Sequence, residues 1–174
     1  PFLIQETFRI VQRLKEEGYI SVMSAFQRGY ELEEIVHEED PLRVLQHLEQ
    51  EGWMKVLCSS WTAAKVNVTE LEKLRDAQGQ LFMRGIHADA SAAQFPLLTA
   101  KMQSKDVASL KKSFPRQAFV QEIDALEAEG KKFAAELSGK QAATPSAAWK
   151  TLMSARPESV LWAAYSTKNA GLRA

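Results

Sequence analysis

The chain lacks the short motifs that signal most catalytic and cofactor sites. It contains no Gly-rich phosphate loop of the GxxxxGK or GxGxxG type, and no D-x-D pair of the kind that holds two divalent ions for nucleotidyl transfer. Its three histidines have no i, i+4 spacing for a metal pair on one helix; they are His37, His47 and His87. We therefore predict that this chain has no metal, no cofactor and no catalytic residue of its own.

Cysteine is scarce, and long apolar runs are missing. The single cysteine, Cys58, excludes an internal disulfide and fits a reducing compartment, so we predict a cytoplasmic protein. No apolar run is long enough to span a bilayer, which predicts that a membrane is not a partner. The start, PFLIQETFRIVQRLKEEG, is amphipathic and charged, unlike a signal peptide. The first residue, Pro1, and the last stretch, NAGLRA, indicate a piece of a longer polypeptide.

Helical periodicity dominates what is present. No segment of five or more residues alternates strictly between apolar and polar, which argues against strands. Asp40 is a good N-cap, Pro41 suits the first helical position, and Leu45 and Leu48 then line one face until Gly52 ends the helix. We predict an all-α fold: an irregular, elongated array of about seven to nine helices without a β-sheet.

The same signals place other helix boundaries. The remaining predicted features are a helix over residues 4–18, a helix kinked or started by Pro96, a short helix capped by Ser104, a long helix over residues 115–138, and helices opened by Thr144-Pro145 and Arg156-Pro157.

The charges are unevenly distributed although the net charge is zero. Residues 1–100 carry 10 Lys and Arg against 15 Asp and Glu, whereas residues 101–174 carry 12 against 7. The basic half indicates a polyanion partner; chance surface composition is the alternative. Aromatic residues stand near bases in this half, where they either stack on nucleobases or anchor the core: Phe114, Trp149, Trp162 and Tyr165.

The candidate RNA-binding residues are the basic side chains of the second half. Lys111, Lys112 and Arg116 are the first choice, because they crowd a short helix and the turn after it beside Phe114. Such residues would neutralise backbone phosphates and would not read bases. The full set is Lys111, Lys112, Arg116, Lys131, Lys132, Lys140, Lys150, Arg156, Lys168 and Arg173.

The stretch ELEEIVHEEDPLRVLQHLEQEGWMKVL, residues 31–57, resembles the neck-to-body junction of bacterial class II tRNA nucleotidyltransferases (CCA-adding enzymes) and poly(A) polymerases. That family typically carries E-L-x-x-I-L, a gap with Pro, L-x-x-L-x-x-x-G and an apolar turn. The matching residues here are Glu31, Leu32, Ile35, Pro41, Leu45, Leu48, Gly52 and Leu57. The stretches TPSAAWKTL and PESVLWAAYSTKN are similar to the tail of some bacterial members. Gly29-Tyr30 and Glu33-Glu34 stand where the family often has basic residues.

The resemblance implies a neck- and body-like helical segment over residues 1–66 and a basic helical tail over residues 67–174. The family's catalytic head, which uses Mg²⁺ and CTP or ATP, is absent from this sequence. The chain would then grip tRNA by backbone and shape contacts, would be inactive alone, and would have tRNA and its own head as partners. The main alternative is a helical protein-interaction domain that docks through its acidic first half. A self-contained enzyme is the least favoured interpretation.

Overall fold

A computed structural model describes residues 23–139 and 143–166 of the chain. These residues form nine α-helices, with a short 3₁₀-helix at Ala63–Lys65. The α-helices are α1 (Ala25–His37), α2 (Pro41–Gln50), α3 (Met54–Leu57), α4 (Val68–Met83), α5 (Ser91–Leu98), α6 (Ser104–Ser113), α7 (Gln117–Ser138), α8 (Pro145–Ser154) and α9 (Pro157–Ser166).

The part of the chain that the structure describes contains no strand, which confirms the prediction of an all-α, elongated multi-helix array. None of the helices in these two ranges is long and apolar enough to cross a membrane. The helix predicted over residues 4–18 lies outside the described residues.

Most helix boundaries are where the capping residues predict them. An Asp40 carboxylate oxygen accepts a hydrogen bond from the Arg43 backbone N–H at 3.2 Å, and Pro41 is the first residue of α2. Thr144 caps α8 in the same way, accepting from the Ala147 N–H at 3.2 Å. Gly52 follows α2 with a φ of 77°, a left-handed conformation that favours glycine.

Two predicted boundaries differ from the structure. Ser104 does not cap α6: it is the first helical residue, and Gln103 precedes it without a side-chain cap. The long helix α7 begins at Gln117, two residues after the predicted start at residue 115, and Phe114 before it is buried in the core. Of the two alternatives for Pro96, the structure excludes a helix start, because Pro96 lies inside α5, where it is exposed; a kink there stays a prediction.

One hydrophobic core joins residues from both predicted segments. Its largest fully buried side chains are Trp61, which precedes the predicted boundary at residue 66, and Phe95 and Phe114, which follow it. The rings of Phe95 and Phe114 pack edge to face with their centroids 5.5 Å apart. The separation into residues 1–66 and 67–174 remains a prediction; the packing between them is continuous.

Three hydrogen bonds tie the residues after α3 to the end of α5. The Trp61 indole N–H donates to the Leu98 carbonyl at 3.1 Å. The Asn67 backbone N–H donates to the Leu97 carbonyl at 2.9 Å, and the Lys101 N–H donates to the Lys65 carbonyl at 3.0 Å. Residues 61–67 and 97–101 therefore lie side by side although they are distant in sequence.

We expect Leu45→Ala to destabilise the protein by about 2–5 kcal/mol, because Leu45 is completely buried and truncation leaves a cavity. Leu48→Ala on the same helix should cost less, since Leu48 is only half-buried against the core. Denaturant unfolding of both variants measures the difference. Equal losses below roughly 0.5 kcal/mol would show that this face of α2 does not pack as described.

A pH-dependent contribution is expected from Asp40. A hydrogen bond from Arg75 at 2.5 Å holds the pKa of this carboxyl below its usual range. Its stabilisation is therefore present above the unfolded-state pKa and is lost as the pH falls through the lowered folded-state pKa. Because Asp40 is 45% exposed, we expect Asp40→Asn, which keeps a capping side chain, to cost less than about 1 kcal/mol at pH 7.

Unfolding free energies of wild type and Asp40→Asn, measured at pH 7 and again near pH 2, test this expectation. The two proteins should converge at the lower pH. Asp76→Asn is the matched control, because Asp76 is exposed and has no ion pair among the described residues. A difference that persists unchanged in acid would contradict the role given to the Asp40 charge.

Candidate nucleic-acid interface

The structure places two of the three preferred RNA-binding residues in ion pairs. The Lys111 ammonium contacts the Asp124 carboxylate of α7, and the Arg116 guanidinium contacts the carboxylates of Glu33 and Glu34 on α1. Lys112 is exposed and has no carboxylate partner within residues 23–139 and 143–166. The three residues are close in sequence, but their positive charges are not equally available to a phosphate.

Arg116 is a structural residue of the junction between α1 and α7. Glu33 is completely buried, and its second carboxylate oxygen accepts a hydrogen bond from the Arg116 backbone N–H at 3.1 Å. Desolvation alone would lower the pKa of the Arg116 guanidinium, but attraction to Glu33 and Glu34 outweighs it and raises the pKa above its usual value. The guanidinium also lies 5.9 Å from the centre of the Tyr30 ring. Arg116 therefore remains charged and engaged with α1.

Gly29 brings α1 against the end of α6 at the same junction. A Cβ atom built on Gly29 would overlap the carbonyl oxygen of Ser113. Only glycine allows this approach, which places Glu33, one turn further along α1, beside Arg116. Gly29 is thus required by close packing, and Glu33 neutralises Arg116.

Three of the four other candidate cations that the structure describes are also paired. Lys131 and Lys132 contact Glu127 and Glu136 on their own helix, at 2.5 Å and 4.0 Å. Arg156 contacts three carboxylates, those of Glu122, Glu129 and Glu158 at 2.6, 3.2 and 3.6 Å. Lys150 is exposed without an ion pair among the described residues. Lys140, Lys168 and Arg173 lie outside the described residues.

The four candidate aromatic residues fall into different environments. Phe114 belongs to the core. Trp162 is half-buried, with its indole packed so close to Gly130 that a Cβ there would overlap the ring. Tyr165 is half-buried too; burial, and after it Glu70 and Glu127, raises the pKa of its phenol. Trp149 is different, because 60% of its surface is exposed.

A second set of four lysines, which shares Lys112 with the predicted set, consists of three exposed residues and the half-buried Lys65. Lys105 and Lys112 are both exposed on α6, and a spacing of seven residues puts them within about 20° of each other around the helix. Lys101 lies three residues before α6, and the backbone hydrogen bond described above joins it to Lys65. None of these four has a carboxylate partner in the part of the chain that the structure describes. We call Lys65, Lys101, Lys105 and Lys112 the lysine row.

Three members of the lysine row are not among the residues predicted from the sequence: Lys65, Lys101 and Lys105. Lys65 and Lys101 are 36 residues apart, and only the pairing of residues 61–67 with 97–101 brings them together. Lys105 and Lys112 carried a usable signal, since their i, i+7 spacing on a predicted helix already places them on one face.

An apolar groove of about 500 Å³ lies between α4, α7, α8 and α9. Leu137, Leu152 and Val160 are among its apolar walls, and its polar lining includes Asp76, Gln80 and Arg84. Trp149 and Tyr165 also line it. The groove combines aromatic and charged side chains without a built catalytic arrangement.

Two of the three histidines pack against aromatic rings. The His37 ring lies 4.3 Å from that of Phe119, and the His87 ring lies 4.9 Å from that of Phe82. Among the described residues, no three His, Cys, Asp or Glu side chains are grouped so that they could hold a metal ion.

Comparisons of the chain with models of protein families, with curated proteins and with solved structures find no match.

Proposed function

We propose that this chain is a non-catalytic RNA-binding portion of a tRNA nucleotidyltransferase or poly(A) polymerase. In this proposal the lysine row contacts the phosphate backbone of tRNA, and a separate catalytic head adds the 3′-terminal nucleotides. Mg²⁺ and CTP or ATP belong to that head and not to this chain.

The lysine row is the observation that carries the RNA-binding part of the proposal. Lysines without carboxylate neighbours attract phosphates more strongly than lysines already held in ion pairs, because no internal salt bridge must be broken first. Lys105 lies in the first turn of α6 next to Asp106, so this carboxylate partly offsets the positive potential of the turn. Recognition of this kind follows the shape of an RNA and does not require base-reading side chains.

The assignment to the nucleotidyltransferase family rests on the resemblance of residues 31–57 and is supported by the rigid junction around them. Gly29 and the buried Glu33 fix α1 against the end of α6 and the start of α7. A neck helix held in this way would transmit the position of a preceding head to the tail that holds the RNA. The helix α1 is therefore suited to a joint between two functional parts.

A protein-interaction role is the second candidate, and an exposed apolar pair on α1 favours it. Phe26 and Tyr30 are one turn apart, and 68% and 46% of their surfaces are exposed. Glu31 is exposed beside them. Such a surface suits a protein contact, with the chain's own catalytic head as the partner in the first proposal and an unrelated protein in the second.

We expect Lys105→Gln, Lys112→Gln to weaken tRNA binding. Each lost phosphate contact should lower the magnitude of the slope of log affinity against log salt by about 0.7–0.9. The slope of the double variant should therefore be smaller in magnitude than that of the wild type by roughly 1.4–1.8. Fluorescence anisotropy with labelled, deacylated tRNA across a salt series measures both quantities.

Lys131→Gln, Lys132→Gln is the matched control for this measurement. It removes the same two charges, but from lysines that contact Glu127 and Glu136. If both double variants change the slope equally, net charge and not the lysine row governs binding. If the wild type binds no tRNA at low salt, the protein-interaction role replaces the proposal.

A further inference from the structure

We propose that the groove between α4, α7, α8 and α9 binds a single unstacked nucleobase of an RNA, with Trp149 as the stacking surface. This inference rests on the proposed RNA-binding function and adds to it a second contact, chemically different from the lysine row. The lysine row would hold phosphates, whereas the groove would hold a base.

The first observation is that α8 is incompletely covered. The helix contains no fully buried residue, although apolar side chains recur along it. Trp149 and Met153, one turn apart, are 60% and 64% exposed. Large apolar side chains exposed together beside a groove indicate a surface that a ligand covers.

The second observation is the charge around this surface. Lys150 is the only charged residue of α8, and it adjoins Trp149 in sequence. Arg84 lines the groove, donates to the carbonyl oxygen of Gln80 at 3.2 Å and has no carboxylate partner among the described residues. Asp76 is the one carboxylate in the lining of the groove. A flat apolar ligand that carries a phosphate complements an exposed indole in a groove that has one such cation in its lining and another next to the indole in sequence.

The lining also contains groups that can contact the edge of a base. Gln80 offers an amide donor and acceptor, and Asp76 offers an acceptor. Tyr165 lines the same groove, and its phenol is neutral at neutral pH. These are the polar side chains that accompany aromatic stacking in sites for single-stranded RNA.

The volume of the groove, about 500 Å³, lies in the ordinary range of small-ligand sites. Lys150 and Arg84 favour an occupant that carries negative charge over a neutral apolar peptide. Volume and charge therefore both suit a nucleotide unit of an RNA.

The direct test follows the indole N–H resonances of the full chain by NMR while pentaadenylate RNA is added at low salt. We expect a saturable shift of the Trp149 resonance, which Trp149→Phe identifies by its loss. Trp61 is the internal control, since it is fully buried and its indole N–H donates to Leu98. A five-unit abasic ribose-phosphate analogue should leave the Trp149 resonance unmoved, because it has no base to stack.

The second arm measures affinity for pentaadenylate and for tRNA. Trp149→Leu keeps an apolar side chain but loses the extended ring, and we expect it to bind pentaadenylate roughly 5- to 150-fold more weakly. Its salt slope for tRNA should be unchanged, because stacking neutralises no phosphate. Phe82→Leu is the matched control and should leave the affinity unchanged, because Phe82 is an aromatic residue with the same 60% exposure that does not line the groove.

The outcomes separate this inference from the proposed function. If tRNA binding depends on the lysine row but Trp149 responds to neither RNA probe, the groove inference is wrong and the function stands. An equal response to the abasic analogue would also overturn base stacking. A response to a peptide of residues 2–17, used as an amphipathic probe, without a response to RNA would assign the groove to a protein. If Trp149 responds to pentaadenylate while the wild type fails to bind tRNA, the groove stands and the lysine-row proposal fails.

Discussion

Replacing Gly29 with alanine is expected to destabilise the protein by about 3 kcal/mol or more. The added Cβ would overlap the Ser113 carbonyl oxygen, which is backbone and cannot rotate away as a side-chain end can. Relief requires α1 to move from the end of α6, which would also disturb the contact between Glu33 and Arg116. Overpacking typically costs 1–3 kcal/mol, and a backbone clash lies at or beyond the upper end of that range.

Gly79→Ala is the matched control for Gly29→Ala, and denaturant unfolding compares them. Gly79 lies inside α4, and a Cβ built there meets nothing within 4 Å. Alanine has the higher helix propensity, so this variant should be more stable than the wild type by up to about 1 kcal/mol. A Gly29→Ala variant as stable as the wild type would mean that α1 and α6 do not approach as closely as described.

Removing the Arg116 side chain is expected to cost about 3 kcal/mol of stability. Arg116→Ala leaves the Glu33 carboxylate buried and without its cation, and breaking a buried ion pair from one side typically costs 3–5 kcal/mol. We expect the lower end of this range, because the Arg116 side chain is 47% exposed and its backbone N–H still donates to Glu33.

Two further variants show whether the lower stability of Arg116→Ala comes from the buried Glu33 carboxylate that has lost its cation. Adding Glu33→Gln to Arg116→Ala should recover part of the stability, since a buried neutral amide costs less than an unpaired charge. Glu34→Gln alone should cost less than about 1 kcal/mol, because Glu34 is 40% exposed. Should the double variant be less stable than Arg116→Ala, the burial of a charged Glu33 is not the source of the effect.

Arg116 is unsuitable for mutation in an RNA-binding experiment, because its side chain stabilises the fold. A charge-reversed Arg116 would face Glu33 and Glu34, so weaker RNA binding could reflect local unfolding. Lys105 and Lys112 avoid this problem, because both are exposed and neither takes part in an ion pair within the described residues.

The fold was largely predictable because its signals are local. Asp40-Pro41 and Thr144-Pro145 open helices through contacts within three residues, so the sequence contains the whole determinant. Ser104 shows the limit of such signals: this good capping residue is the first residue of α6, so the helix begins one residue earlier than a Ser104 cap predicts. Pro96 was accommodated inside α5, among neighbours that are nearly all buried.

The candidate site was less predictable, because charge availability depends on distant residues. The local sequence around Arg116 is basic, but the carboxylates that neutralise it are more than 80 residues away on α1. Lys65 lies close to Lys101 only because the backbones of these two residues are hydrogen-bonded in the folded chain. Trp149 and Phe114 are both close to lysines in the sequence. Tertiary packing exposes Trp149 and buries Phe114, and the local sequence does not distinguish them.

The salt dependence of tRNA binding by the unmodified chain tests the central claim most directly. If the four lysines of the lysine row contact phosphates, affinity should fall steeply with salt, with a slope of log affinity against log salt near −3. Fluorescence anisotropy with labelled tRNA, from low to physiological salt, gives this slope. No binding at low salt, or an affinity that does not change with salt, would contradict the proposal that this chain holds RNA through its phosphates.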